Sequence, residues 1–375
     1  MTYKFYGALV PFREDDLQSI GFMKRYGNLY GRIVDMDNLR LAARKAMKGK
    51  FYQAGVREYL KDPEGNLTKL HRALVDKTYK ISPYKIFVIF EPKRREIYRL
   101  PFIDRVVQHA IMNILEDIWV SMFTADTYSC IKGRGVHSAA LKIKKALQDE
   151  ENTTYCLKID VRKFYPSVDR KILKQIIRLK IKDKDLLSLL DSIIDSAEGL
   201  PIGNYLSQHL ANLYMTYFDH WLKETMKVRY YFRYCDDIAI FSGSKRYLHQ
   251  ILSDIRIYLE VDLHLSIKSN YQVFSVEIRG VDMLGYVFRR RYTRLRKSIK
   301  KNFARAVAKR KSRSTIEAYK GWTKHADCKN LLKVLSDEKN KEVQRNGHSG
   351  RGRWLDWRKN QHEKAGEPRN YSARV

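Results

Sequence analysis

RYYFRYCDDIAIFSG (229–243) places aromatic and β-branched residues on either side of a short polar break, the pattern of two strands joined by a tight turn. The break holds Cys235, Asp236 and Asp237, so the hairpin carries two adjacent carboxylates at its tip. A second acidic strand lies upstream. In TTYCLKIDVRKFYPSVDR (153–170) an alternating apolar run ends at Asp160 and passes into a short turn. Paired in one antiparallel sheet, the two strands bring three carboxylates together, and such a cluster needs cations to offset its repulsion. Taken singly, a DD pair is commonly a solvated turn and a strand-terminal Asp a helix cap. The apolar and aromatic flanks set these acids apart.

Working outward, ILKQIIRLKIKDKDLLSLLDSII (172–194) and SQHLANLYMTYFDHWLKETMK (207–227) each read as helix between the two acidic strands. Upstream, MDNLRLAARKAMKGK (36–50) and LTKLHRALVDKTYK (67–80) have helical periodicity with basic outer faces. YKIFVIFEPKRREIYRL (84–100) reads as a hairpin around a charged turn at Glu91 to Arg95, followed by a helix from about Ile103 to Ile118. Downstream come a helix near YLHQILSDIRIYLE (247–260), a β-rich stretch VDMLGYVF (281–288), and a strongly basic helical segment. Residues from 336 onward are polar and basic, with little apolar periodicity apart from Trp354 and Trp357, and a partly disordered tail is expected there.

The chain has 375 residues, enough for two or three cooperating subdomains. Its 73 Lys and Arg against 42 Asp and Glu give a formal charge of +31, an excess that points to a polyanionic partner, above all nucleic acid. Cys130, Cys156, Cys235 and Cys328 form no CxxC pair, so neither a disulfide framework nor a zinc knuckle is indicated. MTYKFYGALVPFREDD (1–16) lacks the features of a signal peptide and no long apolar run appears, so a cytoplasmic protein of a bacterial or phage-infected cell, with no membrane partner, is expected.

The YCDD turn and the LKIDVRKFYPSVD strand together resemble the palm signature of reverse transcriptases. The resemblance implies an α+β right-hand polymerase: a basic helical extension (1–80), fingers (81–150), a palm with inserted fingers helices (151–288), a helical thumb (289–335) and the tail (336–375). It implies catalysis by Asp160, Asp236 and Asp237, with two Mg²⁺ ions, or Mn²⁺ in their place, held by these acids and the Val161 carbonyl. Two-metal nucleotidyl transfer uses one ion to activate the primer hydroxyl and one to carry the triphosphate, and hard cations take oxygen ligands. Tyr165, five residues beyond Asp160, stands where the family places an aromatic gate against the ribose 2′-hydroxyl. Without Asp160 beside it, a core aromatic would be the better reading.

EPKRREIYRLPFIDRVVQHA (91–110) resembles the first fingers motif and assigns Lys93 and Arg95 to the incoming triphosphate, with Arg99 and Arg105 as weaker candidates. YSCIKGRGVHSAA (128–140) resembles the second, making Gly133, Arg134 and Gly135 template candidates. In RGVDMLGY (279–286) Leu284 and Gly285 resemble the primer-grip turn. Lys268 is the nearest match to the family's general-acid lysine.

GLPIGNYLSQHLANLY (199–214) separates lineages. Many reverse transcriptases have a Gln-Gly start and a Ser-Pro end here, where this chain has Ile202 and Gln208. The I-G-x-x-x-S-Q form resembles reverse transcriptases of diversity-generating retroelements, which copy a template-repeat RNA into adenine-mutagenised cDNA. By that resemblance Ile202 and Gln208 border the nucleotide, dNTPs are the substrates, and a small basic pentameric accessory protein is a partner. An apolar side chain in place of an amide removes hydrogen bonds that check a nascent base pair. Simple apolar packing is the competing reading of Ile202. A reverse transcriptase of retron, defence or intron type, a DNA-templated repair polymerase and an inactive RNA-binding scaffold are the alternatives. Clustered carboxylates argue against the scaffold because they are costly to keep.

Overall fold

The structure, a computed structural model, describes residues 24–90 and 93–335. The tail expected to be disordered and the N-terminal stretch 1–16 read for a signal peptide lie outside the described residues. The chain divides into two compact units, 1–293 and 294–375.

The first unit opens with helices α1 (Tyr30–Val34), α2 (Met36–Met47), α3 (Ala54–Tyr59) and α4 (Pro63–Val75). The segment 76–80, expected to continue a helix, is not helical. Strands β1 (Lys85–Ile89) and β2 (Arg95–Arg99) form an antiparallel hairpin in which Lys85 pairs with Arg99 and Ile89 with Arg95. Helix α5 (Phe102–Val120) follows and buries one face along α2 and another along the later α10 (Tyr205–Tyr214). Asn38 and Asn113 lock α2 to α5: Asn113 Nδ2 donates to Asn38 Oδ1 at 2.9 Å, and Asn38 Nδ2 to the Ile33 carbonyl at 2.8 Å.

Helix α6 (Val136–Ala146) leads to β3 (Tyr155–Asp160), the centre of a four-stranded antiparallel sheet. Its neighbours are β5 (Asp237–Ser242) and β6 (Gln272–Ser275), and β4 (Tyr230–Tyr234) pairs with the far side of β5. Helix α12 (Lys245–Val261) packs on β3, β5 and β6. Between the acidic strands, the run 172–194 is two helices, α8 (Arg170–Lys180) and α9 (Lys184–Ile194). Between them Ile181 pairs with Tyr26 in a parallel bridge, the Tyr26 N–H donating to the Lys180 carbonyl and the Lys182 N–H to the Tyr26 carbonyl, and Asp183 caps α9 at the Leu186 N–H while accepting the Leu29 and Tyr30 N–H groups at 2.6 and 2.9 Å. The run 207–227 is also broken, into α10, α11 (Thr216–His220) and a π turn, Trp221–Thr225. There Thr216 Oγ1 donates to the Asn212 carbonyl at 3.1 Å, the back-bonding that bends a helix.

After α13 (Val276–Arg279), β7 (Val281–Met283) and β8 (Tyr286–Phe288) make a small hairpin; the strand β9 (Thr293–Leu295) follows. The second unit contains α14 (Lys297–Ala308) and α15 (Arg313–Thr323), stacked through Phe303 and Tyr319 with ring centroids 5.4 Å apart. No helix among the described residues is long and apolar enough to cross a membrane.

A fully buried ion pair fixes the β4–β5 hairpin. Arg233 Nε donates to Asp219 Oδ1 at 2.7 Å and Nη2 to Oδ2 at 2.5 Å, both side chains being 0% exposed. Asp219 also accepts from Tyr231 Oη at 2.5 Å and Thr127 Oγ1 at 2.8 Å. Arg233 Nη1 reaches Asn212 Oδ1 at 3.1 Å and the Cys235 carbonyl at 3.2 Å. One guanidinium thus ties β4, α10, α11 and the turn itself, and it is satisfied by hydrogen bonds as burial demands.

Removing one partner strands the other charge, so Arg233→Met is expected to cost about 3–5 kcal/mol. Urea denaturation checks this, and a loss well under about 1 kcal/mol would show that the pair holds nothing.

Candidate active site

The register of the sheet sets the site. Asp160 ends β3 directly opposite Asp237, the first residue of β5. Directly opposed residues share a face of the sheet, so their carboxylates lie side by side. The hairpin turn between Tyr234 and Asp237 consists of Cys235 and Asp236 alone. Cys235 has φ of 58°, the positive value that a two-residue hairpin turn needs, at a cost of about 1–3 kcal/mol for a non-glycine residue. The Val161 N–H donates to the Asp236 carbonyl at 3.2 Å, joining the end of β3 to the turn.

Two lysines neutralise the acids. Lys158 bonds Asp237, and Lys268 bonds Asp160 through its ammonium while its N–H donates to the Asp160 carbonyl at 2.9 Å. Sequence reading missed Lys158, although a signal for it exists: it stands two residues before Asp160, and strand periodicity puts both on one face. Burial raises the Asp236 carboxyl above the usual aspartate range, and the charges of Asp160 and Asp237 push it the same way. Among the described residues no group of three His, Cys, Asp or Glu side chains is gathered tightly enough to hold a metal ion.

Tyr165 lies in α7 (Phe164–Ser167), reached from β3 through Lys163, whose φ of 44° turns the chain sharply. The Cys235 thiol donates to Tyr165 Oη at 3.4 Å. Burial, aided by the Asp236 charge, pushes the Cys235 thiol up to about 12, and burial raises the Tyr165 hydroxyl as well, so both stay protonated. Gly199 approaches α7 so closely that an added Cβ would lie 2.4 Å from the Pro166 carbonyl oxygen. Beyond it, the Leu200 N–H donates to the Tyr165 carbonyl and the Ile202 carbonyl accepts from the Tyr98 N–H, both at 2.8 Å. The loop therefore links β2 to the residue beside the aspartate-bearing turn.

Ile202 is partly exposed and Gln208 exposed on α10. Gln208 Oε1 accepts from the Cys130 thiol at 3.2 Å. Cys130 thus belongs to the surroundings of the site, although its isolated place in the sequence gave no sign of it. Lys93 and Arg95 are exposed at the tip of the β1–β2 hairpin. Arg99 and Arg105 lie at the opposite end, near the start of α5. Gly133, with φ of 78°, and Gly135 flank Arg134, whose guanidinium is directed back to the Thr124 carbonyl at 2.9 Å. Leu284 and Gly285, with φ of 58° and 80°, form the two-residue turn of the β7–β8 hairpin.

A carboxyl whose folded value is raised loses stability as pH climbs from the ordinary aspartate value through the raised one. Asp236→Asn is therefore expected to have the higher Tm at neutral pH without divalent cations. The difference should vanish below about pH 4, where the aspartate is protonated in both states. Differential scanning fluorimetry across pH checks this, and a variant less stable at neutral pH would contradict it.

A match to the reverse transcriptase (RNA-dependent DNA polymerase) family spans residues 91–288. The chain is 25% identical over 236 residues to Protein YkfC of Escherichia coli K12, covering 51% of this chain and 62% of YkfC. It is 25% identical over 166 residues to the group II intron-encoded protein LtrA of Lactococcus lactis, covering 40% of this chain and 27% of LtrA. A solved structure of apo telomerase from Candida tropicalis is similar with a TM-score of 0.44 and 11% identity, over 56% of this chain and 47% of that one. The chain thus spans less than two thirds of the length of the curated relatives YkfC and LtrA. Because the match over 91–288 takes in more than half of the chain and both aspartate-bearing strands, the chain belongs to the reverse transcriptase family.

Proposed function

We propose that the chain is an RNA-directed DNA polymerase that copies a template-repeat RNA into adenine-mutagenised cDNA for diversification of a target gene. The observation that carries the polymerase reading is the register of Asp160 against Asp237, with Asp236 in the intervening turn and Tyr165 bonded to that turn through Cys235.

The donor set suits Mg²⁺ or Mn²⁺, since carboxylate oxygens are what hard cations take, and Lys158 and Lys268 already place positive charge on two of the acids. Asp160, Asp236 and the Val161 carbonyl would hold the ions, with Asp237 completing the acidic cluster; bound cations supply activation of a primer hydroxyl and charge for the triphosphate. The residues of the chain do the rest. Lys93 and Arg95 carry positive charge for the triphosphate at the hairpin tip, and Tyr165 bars a ribose 2′-hydroxyl. Lys268, bonded to Asp160, is the chain's candidate for giving a proton to pyrophosphate.

The mutagenic reading is supported by Ile202. It is partly exposed at the junction of β2 and α10, and it is not among the hydrophobic side chains packed on the core, which favours a role at the nucleotide over simple packing. In that reading the template RNA, the nascent cDNA and a small basic pentameric protein are the partners. The likeness to LtrA favours a second reading, a polymerase of an intron-type lineage.

Primer extension on RNA with adenines at known positions, with and without the neighbouring accessory protein and cognate RNA, followed by cDNA sequencing, separates them. Metal-dependent cDNA with errors concentrated opposite adenine is expected; faithful cDNA favours the intron-type reading, and no cDNA contradicts both. Asp236→Ala should lower the rate by at least about 1,000-fold, the scale on which electrostatic stabilisation of a transition state acts. Tyr165→Ala should raise ribonucleotide use about tenfold or more, as removal of a steric block of a few kcal/mol allows. Ile202→Gln should reduce adenine errors, and an unchanged spectrum would remove Ile202 from fidelity.

A further inference from the structure

Asn204 stands at the N-cap of α10, the position where an asparagine side chain ordinarily accepts from the second or third amide of the helix. Here it makes no such bond. The Leu206 N–H, the second amide of α10, donates instead to Gln108 Oε1 of α5 at 3.2 Å, in the buried interior. Gln108 thus caps α10 from another helix, 98 residues away along the chain.

Released from the cap, the Asn204 side chain donates through Nδ2 to Tyr84 Oη at 2.9 Å. Ser196 Oγ gives its proton to the Ile193 carbonyl at 2.6 Å, so Tyr84 donates to Ser196 Oγ, 2.8 Å away, while accepting from Asn204. Burial raises the Tyr84 hydroxyl above its ordinary value, which keeps that proton in place. The relay runs one way, from Asn204 through Tyr84 and Ser196 to Ile193, and ties the start of α10 to the last turn of α9. The Tyr84 ring is held as well, edge-on to Tyr98 of β2 with centroids 5.5 Å apart.

These anchors close off the segment that carries Ile202. The Ile202 carbonyl accepts from the Tyr98 N–H at 2.8 Å. Beside it Gly203 has φ of 117° and comes so near β2 that an added Cβ would lie 2.8 Å from the Tyr98 carbonyl oxygen. The Ile202 side chain is not among those packed on the core, so its place is set by the backbone on either side of it. The anchoring amides are only half used: Gln108 Nε2 and Asn204 Oδ1 are buried without a hydrogen-bond partner, in side chains 1% and 5% exposed. Apolar groups of the same shape would fill this place without that cost, so support of the fold alone does not call for two amides here.

We propose that Tyr84, Gln108 and Asn204 are positioning residues for Ile202: they fix how far the segment 199–204 presents that side chain to the nascent base pair, and so set which nucleotides are accepted. The inference rests on the reading of Ile202 as a nucleotide-facing residue. The three act through the backbone that flanks Ile202, not by touching the nucleotide.

Two conservative variants of the full chain test this in single-nucleotide primer extension opposite template adenine. Tyr84→Phe keeps the ring and breaks the relay, and Gln108→Met keeps the volume and uncaps α10. Each should change the ratio of kcat/KM for correct and incorrect dNTP by about tenfold, the scale of one buried hydrogen bond, through KM more than kcat. Hydrogen exchange should quicken at the Leu206 amide in Gln108→Met and stay as in the wild type along β3 and β5. In an Ile202→Gln background the same variants should add nothing further to nucleotide choice, because they act through that side chain. Unchanged selectivity in both variants, an equal loss of kcat for every nucleotide, or full additivity with Ile202→Gln would overturn the proposal. No cDNA from the wild type, or no effect of Ile202→Gln alone, fails the reading beneath this one and takes it along. An effect of Ile202→Gln with none from Tyr84→Phe or Gln108→Met fails this one alone.

Discussion

Like charge forced together at one end of a sheet is the constraint on which the rest of this molecule depends. Antiparallel pairing sets Asp160 opposite Asp237, and a two-residue turn leaves no room to move Asp236 away. Lys158 and Lys268 meet part of the charge from within the chain, and the raised carboxyl of Asp236 records what is left. A fold with no use for cations would gain stability by losing one of these acids.

Holding that turn in place needs rigidity from below. The Arg233–Asp219 pair supplies it, bonding the Cys235 carbonyl from a site with no solvent access. Its hydrogen bonds extend to α10 through Asn212 and to the loop before α6 through Thr127. From α10 and the loop at Gly199 the connection continues to Tyr165 and to β2, so the nucleotide-facing candidates and the acids share one supporting frame. Buried polar networks of this kind specify one arrangement because every member is satisfied.

Much of this was legible in the sequence, and the reason is local. Both acidic strands alternate cleanly, the YCDD turn interrupts them, and the hairpin near 84–100 is framed by a charged break; period and turn chemistry suffice there. The helical runs were less legible. Asp183 looked like one more polar residue on a helix face, yet it caps α9 while holding the start of α1, a partner more than 150 residues away. Thr216 and Met215 gave no sign of a break in an apolar run that reads as one helix. The strand Gln272–Ser275 is a four-residue sheet edge, half-buried throughout, and has no alternation to detect. Among residues near the site, Cys130 depends on packing between distant segments, to which periodicity is blind.

The most direct test is a titration of Mn²⁺, as a paramagnetic substitute for Mg²⁺, followed by electron paramagnetic resonance with primer–template and dNTP present. Wild-type chain should hold Mn²⁺ at sites that Asp160→Asn/Asp236→Asn lacks, and the same titration should restore at neutral pH the stability that the crowded carboxylates withhold. Equal Mn²⁺ binding by the wild type and the double variant would contradict the assignment of these aspartates as the metal-bearing acids.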